Sequence, residues 1–248
     1  MKLTCLLKNI LHRFAAIGLL ATALSASAQT PREAYTEPLS PDNAAILFID
    51  NQTNLLLGIQ SIDTVTLRNN TEALAKLARM FNVPVVLTTT GGGARGPAGG
   101  LVPAITDTFP KEPVIDRMEY FNAMSDPRFA GAVKKTGRKK ILLSGFTTDY
   151  CLVYPATTLI AQGYHVFIIT DASGSWTKEN NDSALMRLVQ MGATPINLQS
   201  LVGEMQNADA VKDLAGAKKR LPELLDWFSR YGAAPSILNM NMAMQPRK

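Results

Sequence analysis

Cysteine and histidine are scarce in this sequence of 248 residues, which contains two of each. Cys5 and His12 both lie near the amino terminus, so Cys151 and His165 are the only cysteine and histidine within positions 29–248. A single cysteine cannot form an intrachain disulfide, and a zinc site needs several His, Cys or carboxylate ligands in one cluster. The scarcity therefore excludes a disulfide framework and predicts that the protein binds no metal.

Long apolar runs are also lacking. The segment 1–28 has the order of a secretory signal peptide, with basic side chains first, an apolar run from Phe14 to Leu24, and Ala26-Ser27-Ala28 as an A-x-A cleavage site. The apolar run is about half of the roughly 20 residues needed to span a bilayer. We therefore expect cleavage after Ala28, a periplasmic or secreted location, and no stable membrane insertion of the processed protein.

The apparent excess of basic charge depends largely on this segment. It holds three of the 25 basic residues and none of the 20 acidic ones, so its removal lowers the formal net charge from +5 to +2. No later run of Lys and Arg contains interleaved aromatic residues. The sequence thus predicts no nucleic-acid partner.

Short apolar segments alternate with amphipathic segments between residues 42 and 203. Strands are predicted over residues 45–50, 83–89, 114–117, 140–146, 165–170 and 194–198, and helices over 64–81, 127–136, 149–162 and 181–191. Continuously apolar strands that alternate with helices are typical of a parallel sheet covered on both faces. We predict a three-layer α/β/α domain with a mostly parallel, doubly wound, six-stranded sheet.

Two further segments flank this domain. Residues 29–41 are polar and contain proline, which predicts an extended arm. Residues 204–248 are predicted to form a C-terminal helical extension, because apolar residues recur at helical spacing: Leu221, Leu224, Leu225, Phe228 and Tyr231. This stripe fits packing on its own domain and packing on a neighbouring subunit equally well.

Three reactive side chains lie at or just beyond the carboxyl ends of predicted strands. Asp50 follows AILFI, Arg117 follows VID, and Cys151 follows ILLSGF. Each has a structural alternative, since the aspartate fits a turn, the arginine a surface ion pair and the cysteine a small core residue. Working sites of open α/β sheets lie beyond the carboxyl ends of the strands. Their shared position therefore favours a catalytic site.

Cys151 is predicted to lie at the start of a helix, where free backbone N–H groups and the helix dipole favour a thiolate and a developing oxyanion. Arg117 should favour the thiolate further, whereas Asp149 should oppose it. His165 begins its strand and so lies at the opposite edge of the sheet, which argues against a Cys-His pair. Asp50 is the remaining candidate base, provided that burial raises its pKa.

The glycine-rich stretch GGGARGPAGG (residues 91–100) contains the spacing G-x-G-x-x-G. A dinucleotide-binding fingerprint must run directly into a helix, but proline and glycine residues follow here. The sequence therefore predicts no bound cofactor. We expect a mobile loop flanking the carboxyl edge of the sheet, of the kind that often acts as a lid.

Four motifs together resemble the isochorismatase-like cysteine hydrolases, and among them the bacterial YcaC-type hydrolases. They are DNQ (50–52), VIDRMEYFNA (114–123), GFTTDYCLVYPAT (145–157) and ITDASGS (169–175). The resemblance extends from about residue 42 to residue 201. It implies a catalytic triad formed by Asp50, Arg117 and Cys151.

The same resemblance implies how the pocket is built. The family has a cis peptide bond shortly before the cysteine, which matches Phe146-Thr147 here, and the amides of Thr147 and Cys151 would then bind the oxyanion. Gln52 and Asn122 match polar positions that line the pocket. The family commonly forms multimers, so a homo-oligomer is expected.

Two departures from the family pattern bear on function. The Asp-x-His metal site of the nicotinamidases is absent, and Arg117 replaces the usual lysine, to which it is not equivalent. The leading hypothesis is a cysteine hydrolase that cleaves a C–N bond of a small amide-like substrate through a thioester. The alternatives are a small-molecule-binding protein with weak or no turnover, and a thiol-redox protein that uses Cys151.

Overall fold

The computed structural model describes residues 36–118 and 120–232. The predicted signal peptide (1–28), the first part of the predicted arm (29–35), residue 119 and residues 233–248 lie outside the described residues. No helix within the described ranges is long and apolar enough to cross a membrane.

A six-stranded parallel sheet forms the centre of the described chain. The strands are β1 (Ala44–Ile49), β2 (Val85–Thr90), β3 (Val114–Arg117), β4 (Lys140–Gly145), β5 (His165–Ile169) and β6 (Thr194–Ile196). Their order is β3-β2-β1-β4-β5-β6, and every neighbouring pair is parallel. The predicted doubly wound sheet is confirmed, and its topological switch point lies between β1 and β4.

Helices cover both faces of the sheet. They are α1 (Thr53–Gly58), α2 (Thr64–Met80), α3 (Pro103–Thr108), α4 (Pro127–Lys135), α5 (Val153–Ala161), α6 (Lys178–Gln190), α7 (Leu198–Lys212) and α8 (Leu214–Tyr231). Side-chain caps fix several starts, since Asp63, Asp126 and Thr177 each accept a hydrogen bond from the first turn of α2, α4 and α6. These caps satisfy backbone N–H groups that a helix start leaves unpaired.

Side chains of strand β1 pack into two separate apolar cores. Ile46 and Phe48 belong to the apolar cluster that includes α2, α7 and α8, whereas Leu47 and Ile49 belong to the cluster that includes α4, α5 and α6. This division follows from the two-residue repeat of a strand, which sends alternate side chains to opposite faces. It explains why the strand is continuously apolar.

The segment around Cys151 differs from the prediction of one helix over residues 149–162. Thr148–Leu152 form a single π-helical turn, and α5 begins only at Val153. The apolar spacing of such a short turn does not distinguish it from the first turn of an α-helix. Single π turns are rare and frequently accompany functional sites.

The C-terminal extension packs on its own chain. Leu224, Trp227 and Phe228 of α8 are buried, and Trp227 Nε1 donates a hydrogen bond of 2.9 Å to the carbonyl oxygen of Ala73 in α2. Helix α7 runs through the predicted boundary between residues 203 and 204, and α8 is the separate helix that follows it. Among the described residues, the predicted apolar stripe therefore joins the core beside α2.

Candidate active site

Arg117 and Asp50 form an ion pair that is almost completely buried, with side-chain exposures of 0% and 1%. Arg117 Nη2 donates to Asp50 Oδ1. Its Nε donates to Thr88 Oγ1 at 2.8 Å, and its Nη1 donates to the carbonyl oxygens of Tyr120 and Phe121 at 2.7 and 3.2 Å. These bonds satisfy most of the guanidinium N–H groups, which a buried ion pair requires in order to be stable.

Asp50 occupies the first position after β1 in a left-handed backbone conformation, with φ at +57°. Its own N–H donates to the carbonyl oxygen of Thr88 at 3.1 Å, and its carbonyl oxygen accepts from Gln52 at 2.7 Å. The left-handed region is disfavoured for most residues other than glycine, but aspartate and asparagine adopt it more readily than the rest. The two backbone hydrogen bonds fix Asp50 in this conformation at the end of β1.

Cys151 lies in the π turn with 9% of its surface exposed. The Asp50 carboxylate lies close enough to the Cys151 side chain to raise the pKa of the thiol. The backbone N–H of Cys151 donates to the carbonyl oxygen of Thr147 at 2.8 Å. Asp50 thus contacts both the guanidinium of Arg117 and the thiol of Cys151, and the three predicted catalytic residues meet at one site.

Burial raises the pKa of both acidic groups at this site. For Asp50, burial raises the pKa, and the charge and hydrogen bond of Arg117 act in the opposite direction. For Cys151, burial raises the pKa well above its ordinary value, and the negative charge of Asp50 raises it further. The hydrogen bond at Thr147 and the charge of Arg117 lower it by smaller amounts. Burial and the Asp50 charge therefore both favour the neutral thiol in the resting state.

This resting state corrects one expectation and confirms another. The helix start and Arg117 were expected to favour a thiolate, but desolvation outweighs both because Cys151 is enclosed. The carboxylate that disfavours a thiolate at Cys151 is that of Asp50, not that of Asp149 as expected. Asp149 instead accepts a hydrogen bond from Ser175 Oγ at 2.8 Å. The expected rise in the pKa of Asp50 through burial is confirmed.

The bond between Phe146 and Thr147 is a cis peptide bond, as the family resemblance implies. Thr147 is buried, with an extended backbone immediately before the π turn. The Cys151 amide is engaged within the turn by the Thr147 carbonyl oxygen. Its use as an oxyanion donor, together with the Thr147 amide, stays a prediction and would require sharing of that hydrogen bond.

Gln52 and Asn122 contribute by holding loops. Gln52 is fully buried, and its carboxamide bonds to the backbone of Thr90 and to the carbonyl oxygen of Gly99. Asn122 accepts from the N–H of Met124 at 3.0 Å and donates to Thr158 Oγ1 at 2.9 Å. Because backbone and hydroxyl groups occupy their amides, both residues support the walls of the site, and direct substrate contacts by them stay predictions.

The glycine-rich loop is hydrogen-bonded to the start of α1, and the mobility expected of it stays a prediction. Residues at the start of α1 bind it, since the N–H groups of Thr53 and Asn54 donate to the carbonyl oxygens of Gly100 and Ala98 at 2.9 and 3.1 Å. Asn54 Nδ2 also donates to the carbonyl oxygen of Pro97 at 2.9 Å. A Cβ atom at Gly96 would lie 1.6 Å from the carbonyl oxygen of Gly91, so the loop needs glycine for its own close packing.

Several supporting residues were missed from the sequence. Thr88 receives a hydrogen bond from Arg117 and donates one of 2.6 Å to the carbonyl oxygen of Ile115. Asn51 and Ser144 are buried beside the triad and bond to each other at 3.1 Å. Threonine, asparagine and serine at strand ends have no distinctive spacing in a sequence. The one available signal was that Asn51 directly follows Asp50.

Three exposed aromatic side chains flank the site, and we call them the aromatic rim: Phe121, Tyr150 and Tyr154. Their exposures are 77%, 49% and 40%. The rings of Phe121 and Tyr150 have centroids 6.5 Å apart, and those of Tyr150 and Tyr154 are 6.4 Å apart. Tyr150 directly precedes Cys151, so the rim adjoins that cysteine.

Metal ligands are not clustered in the part of the chain that the structure describes. Those residues contain no group of three or more His, Cys, Asp or Glu side chains arranged to hold an ion. The acidic and thiol groups at the site are instead engaged with one another and with Arg117.

Comparison with known proteins gives one consistent assignment. The profile of the isochorismatase domain matches residues 44–200. The chain is 40% identical over 155 residues to the protein named Probable hydrolase YcaC from Escherichia coli strain K12, covering 62% of this chain and 74% of that protein.

Two solved structures are similar over most of the chain. The crystal structure of Escherichia coli YcaC, described as an octameric hydrolase of unknown specificity, has a TM-score of 0.73 and 34% identity, covering 83% of this chain and 95% of that one. YcaC from Pseudomonas aeruginosa, solved with hexane-2,5-diol and covalent acrylamide, has a TM-score of 0.73 and 33% identity, covering 84% and 97%.

Replacement of Asp50 by asparagine tests the coupling between carboxylate and thiol. Because burial and the Asp50 charge raise the pKa of Cys151, alkylation of the native thiol by iodoacetamide should accelerate only above the ordinary thiol pKa of about 8.5. Asp50→Asn removes the charge and should lower that pKa, while an oxygen acceptor for Arg117 remains. The measurement is the alkylation rate as a function of pH.

Asp182→Asn is the matched control, because it removes an exposed carboxylate that is paired with Lys178. Its profile should coincide with that of the native protein. A native profile that already reaches its plateau near neutral pH, or one that Asp50→Asn leaves unchanged, would contradict the coupling.

Proposed function

Because this chain belongs to the isochorismatase domain family and is a hydrolase of the YcaC type, we propose that it cleaves a C–N bond of a small amide-like substrate through a thioester on Cys151. The observation that carries the proposal is the continuous contact from Arg117 through Asp50 to Cys151. This arrangement provides a nucleophile, a base for its proton and a cation that balances the base.

The first half of the reaction forms the thioester. The Cys151 thiol transfers its proton to Asp50 as the sulfur attacks the substrate carbonyl carbon. Backbone amides of Thr147 and the π turn are the proposed donors to the developing oxyanion. Asp50 then protonates the leaving amine as the C–N bond breaks.

The second half releases the acyl group. Asp50, again a carboxylate, accepts a proton from water as the water oxygen attacks the thioester carbonyl. The C–S bond breaks, and the Cys151 sulfur regains its proton. One amide and one water thus yield one carboxylic acid and one amine. The raised pKa of Asp50 suits both proton transfers, because a buried carboxyl group holds a proton more readily than an exposed one.

Small amides are the substrate class that the site supports best. Arg117 is occupied by Asp50, Thr88 and two carbonyl oxygens, so it is poorly placed to bind an additional anionic group. The covalent acrylamide of the Pseudomonas aeruginosa relative is an adduct with a small amide, which makes acrylamide a useful probe for this chain.

A binding protein with little turnover is the second candidate, and Arg117 is the observation that favours it. Arginine stays protonated at any physiological pH, unlike the lysine usual in the family. A thiol-redox function is less well supported, because Cys151 is enclosed and its pKa is raised, and both features slow reaction with peroxide.

We also propose that the protein forms a homo-oligomer through a surface that includes the aromatic rim. The rim is an exposed group of large apolar side chains, a feature that often marks an interface. The octameric state of the Escherichia coli relative supports assembly of this chain as well.

Export from the cytoplasm remains a proposal based on residues 1–28. Its support is the order of basic, apolar and small residues in this segment. The processed protein would then begin at Gln29 and act in the periplasm or outside the cell.

The hydrolase proposal predicts turnover that depends on two residues. A panel of small neutral amides should include at least one that releases amine, and acid quenching during turnover should trap the acyl group on Cys151, measured by intact mass. Cys151→Ala should abolish turnover, and Asp50→Asn should reduce it by about 10²–10⁴-fold.

Asp182→Asn should retain full activity in the same assay, because its carboxylate is exposed. Ligands that raise the melting temperature while no amide is hydrolysed would favour the binding candidate instead. A Cys151 sulfenic acid that forms stoichiometrically with mild peroxide and reverts with thiols would favour the redox function.

The assembly proposal predicts a particle mass several times that of one chain by light scattering. Phe121→Asp should shift the population to smaller species, because it places a charge in an apolar contact. Val211→Asp, at a side chain that is 82% exposed on α7, is the control and should leave the mass unchanged. A monomeric native protein would contradict the proposal.

The export proposal predicts a processed protein when the full chain is expressed in a Gram-negative host. Intact mass should place its first residue at Gln29, and Ala28→Asp should block this processing because the site needs a small residue. Recovery of the full-length chain from the cytoplasm would contradict export.

A further inference from the structure

A chain of buried polar groups connects the ends of three neighbouring strands. Asn51 Nδ2 donates to Ser144 Oγ at 3.1 Å, and Ser144 Oγ donates to the carbonyl oxygen of Ala172 at 2.6 Å. Asn51 follows β1, Ser144 lies near the carboxyl end of β4, and Ala172 follows β5. All three residues are buried. This series of hydrogen bonds therefore crosses the topological switch point of the sheet.

This hydrogen-bonded chain joins the two segments that carry the reacting groups. Asn51 directly follows Asp50, and Ser144 shortly precedes Thr147, where the approach to Cys151 begins. The β1–β4 ladder ends at Ile49 and Gly145. Beyond that point the N–H of Asp50 bonds to Thr88 on the opposite side, so the Asn51 side chain continues the connection toward β4.

One end of the Asn51 carboxamide lacks a hydrogen-bond partner. Its Oδ1 is buried and has no hydrogen-bond partner in the described parts of the chain. Ser144 already donates its hydroxyl hydrogen to Ala172, which leaves Nδ2 as the end of Asn51 that faces Ser144. An unpaired buried carbonyl oxygen is destabilising, and an apolar side chain of similar volume would avoid it.

We propose that Asn51 is a positioning residue that sets the separation between the Asp50 carboxylate and the Cys151 sulfur by tying its segment to Ser144. The inference rests on the proposed function only in treating Asp50 and Cys151 as a catalytic pair. Departures from good packing and pairing are expected where a site requires them, and the unpaired Oδ1 is such a departure.

The test uses Asn51→Leu and Ser144→Ala in the full chain. Asn51→Leu should leave the melting temperature unchanged or raise it, because the unpaired oxygen is removed. It should also reduce the change in alkylation profile that Asp50→Asn causes, since the carboxylate and sulfur would no longer be held together. Turnover of a hydrolysed amide should fall by about 10–100-fold in kcat with little change in KM.

Ser144→Ala removes the acceptor of the Asn51 bond together with the donor to the Ala172 carbonyl oxygen. It should act on the alkylation profile in the same direction, which keeps the test available should the leucine variant not fold. In the double variant kcat should fall no further than in the more severe single variant, because both substitutions act on the site through the bond between Asn51 and Ser144. Asn70→Ala is the matched control, since Asn70 Nδ2 also donates to a carbonyl oxygen, that of Asp171, at 2.7 Å. It should lower the melting temperature and leave the alkylation profile unchanged.

The Asp50→Asn change can be added to Asn51→Leu and to Ser144→Ala. If it then shifts the pH dependence of alkylation as much in both backgrounds as in the native protein, the proposal is overturned. Failure of the hydrolase proposal is a separate outcome. If no amide is hydrolysed but these variants still weaken the response of the thiol to Asp50, the positioning role stands without the enzymatic one.

Discussion

The buried ion pair between Arg117 and Asp50 is the interaction on which the site depends. Removing two charged groups from water is unfavourable by several kcal/mol for each ion, so the pair persists only because other groups complete its hydrogen bonds. Those groups come from β2, through Thr88, and from the loop after β3, through the carbonyl oxygens of Tyr120 and Phe121. The parallel order β3-β2-β1 brings all of them to one edge of the sheet. The fold therefore supplies the acceptors that make a buried charge at Asp50 tolerable.

The ion pair also influences the protonation of the site. Arginine does not deprotonate under physiological conditions, so the proposed proton transfer involves Asp50 and Cys151 and leaves Arg117 charged. Burial raises the pKa of both, and the carboxylate further disfavours a second negative charge on sulfur. Both effects favour the neutral thiol, and under the proposed mechanism the sulfur would lose its proton to Asp50 as it attacks the substrate. Hydrogen bonds also hold the glycine-rich loop and the side-chain amides of Gln52 and Asn122.

Much of the architecture and the placement of Asp50, Arg117 and Cys151 at one edge of the sheet were predictable, because both depend on local patterns. Continuous apolar runs such as residues 45–49 indicated strands covered on both faces, and polar residues directly after such runs indicated the active edge. The errors concern properties that depend on distant groups. Thiolate character was overestimated at Cys151, since desolvation arises from the whole surrounding chain. The attachment of residues 91–100 to Thr53 and Asn54, which are distant in the sequence, likewise could not be predicted from local patterns.

By itself the sequence determined the alternation of strands and helices, the scarcity of candidate nucleophiles, and the position of Asp50, Arg117 and Cys151 at strand ends. These follow from the period of side-chain burial and from composition, which are properties of the chain alone. Only the tertiary structure decided that Asp50 contacts both partners, that the thiol rests in its neutral form, and that Asn51 bonds to Ser144 across the switch point. The physical reason is that hydrogen bonding and desolvation depend on distances between segments, which the linear order of residues does not specify.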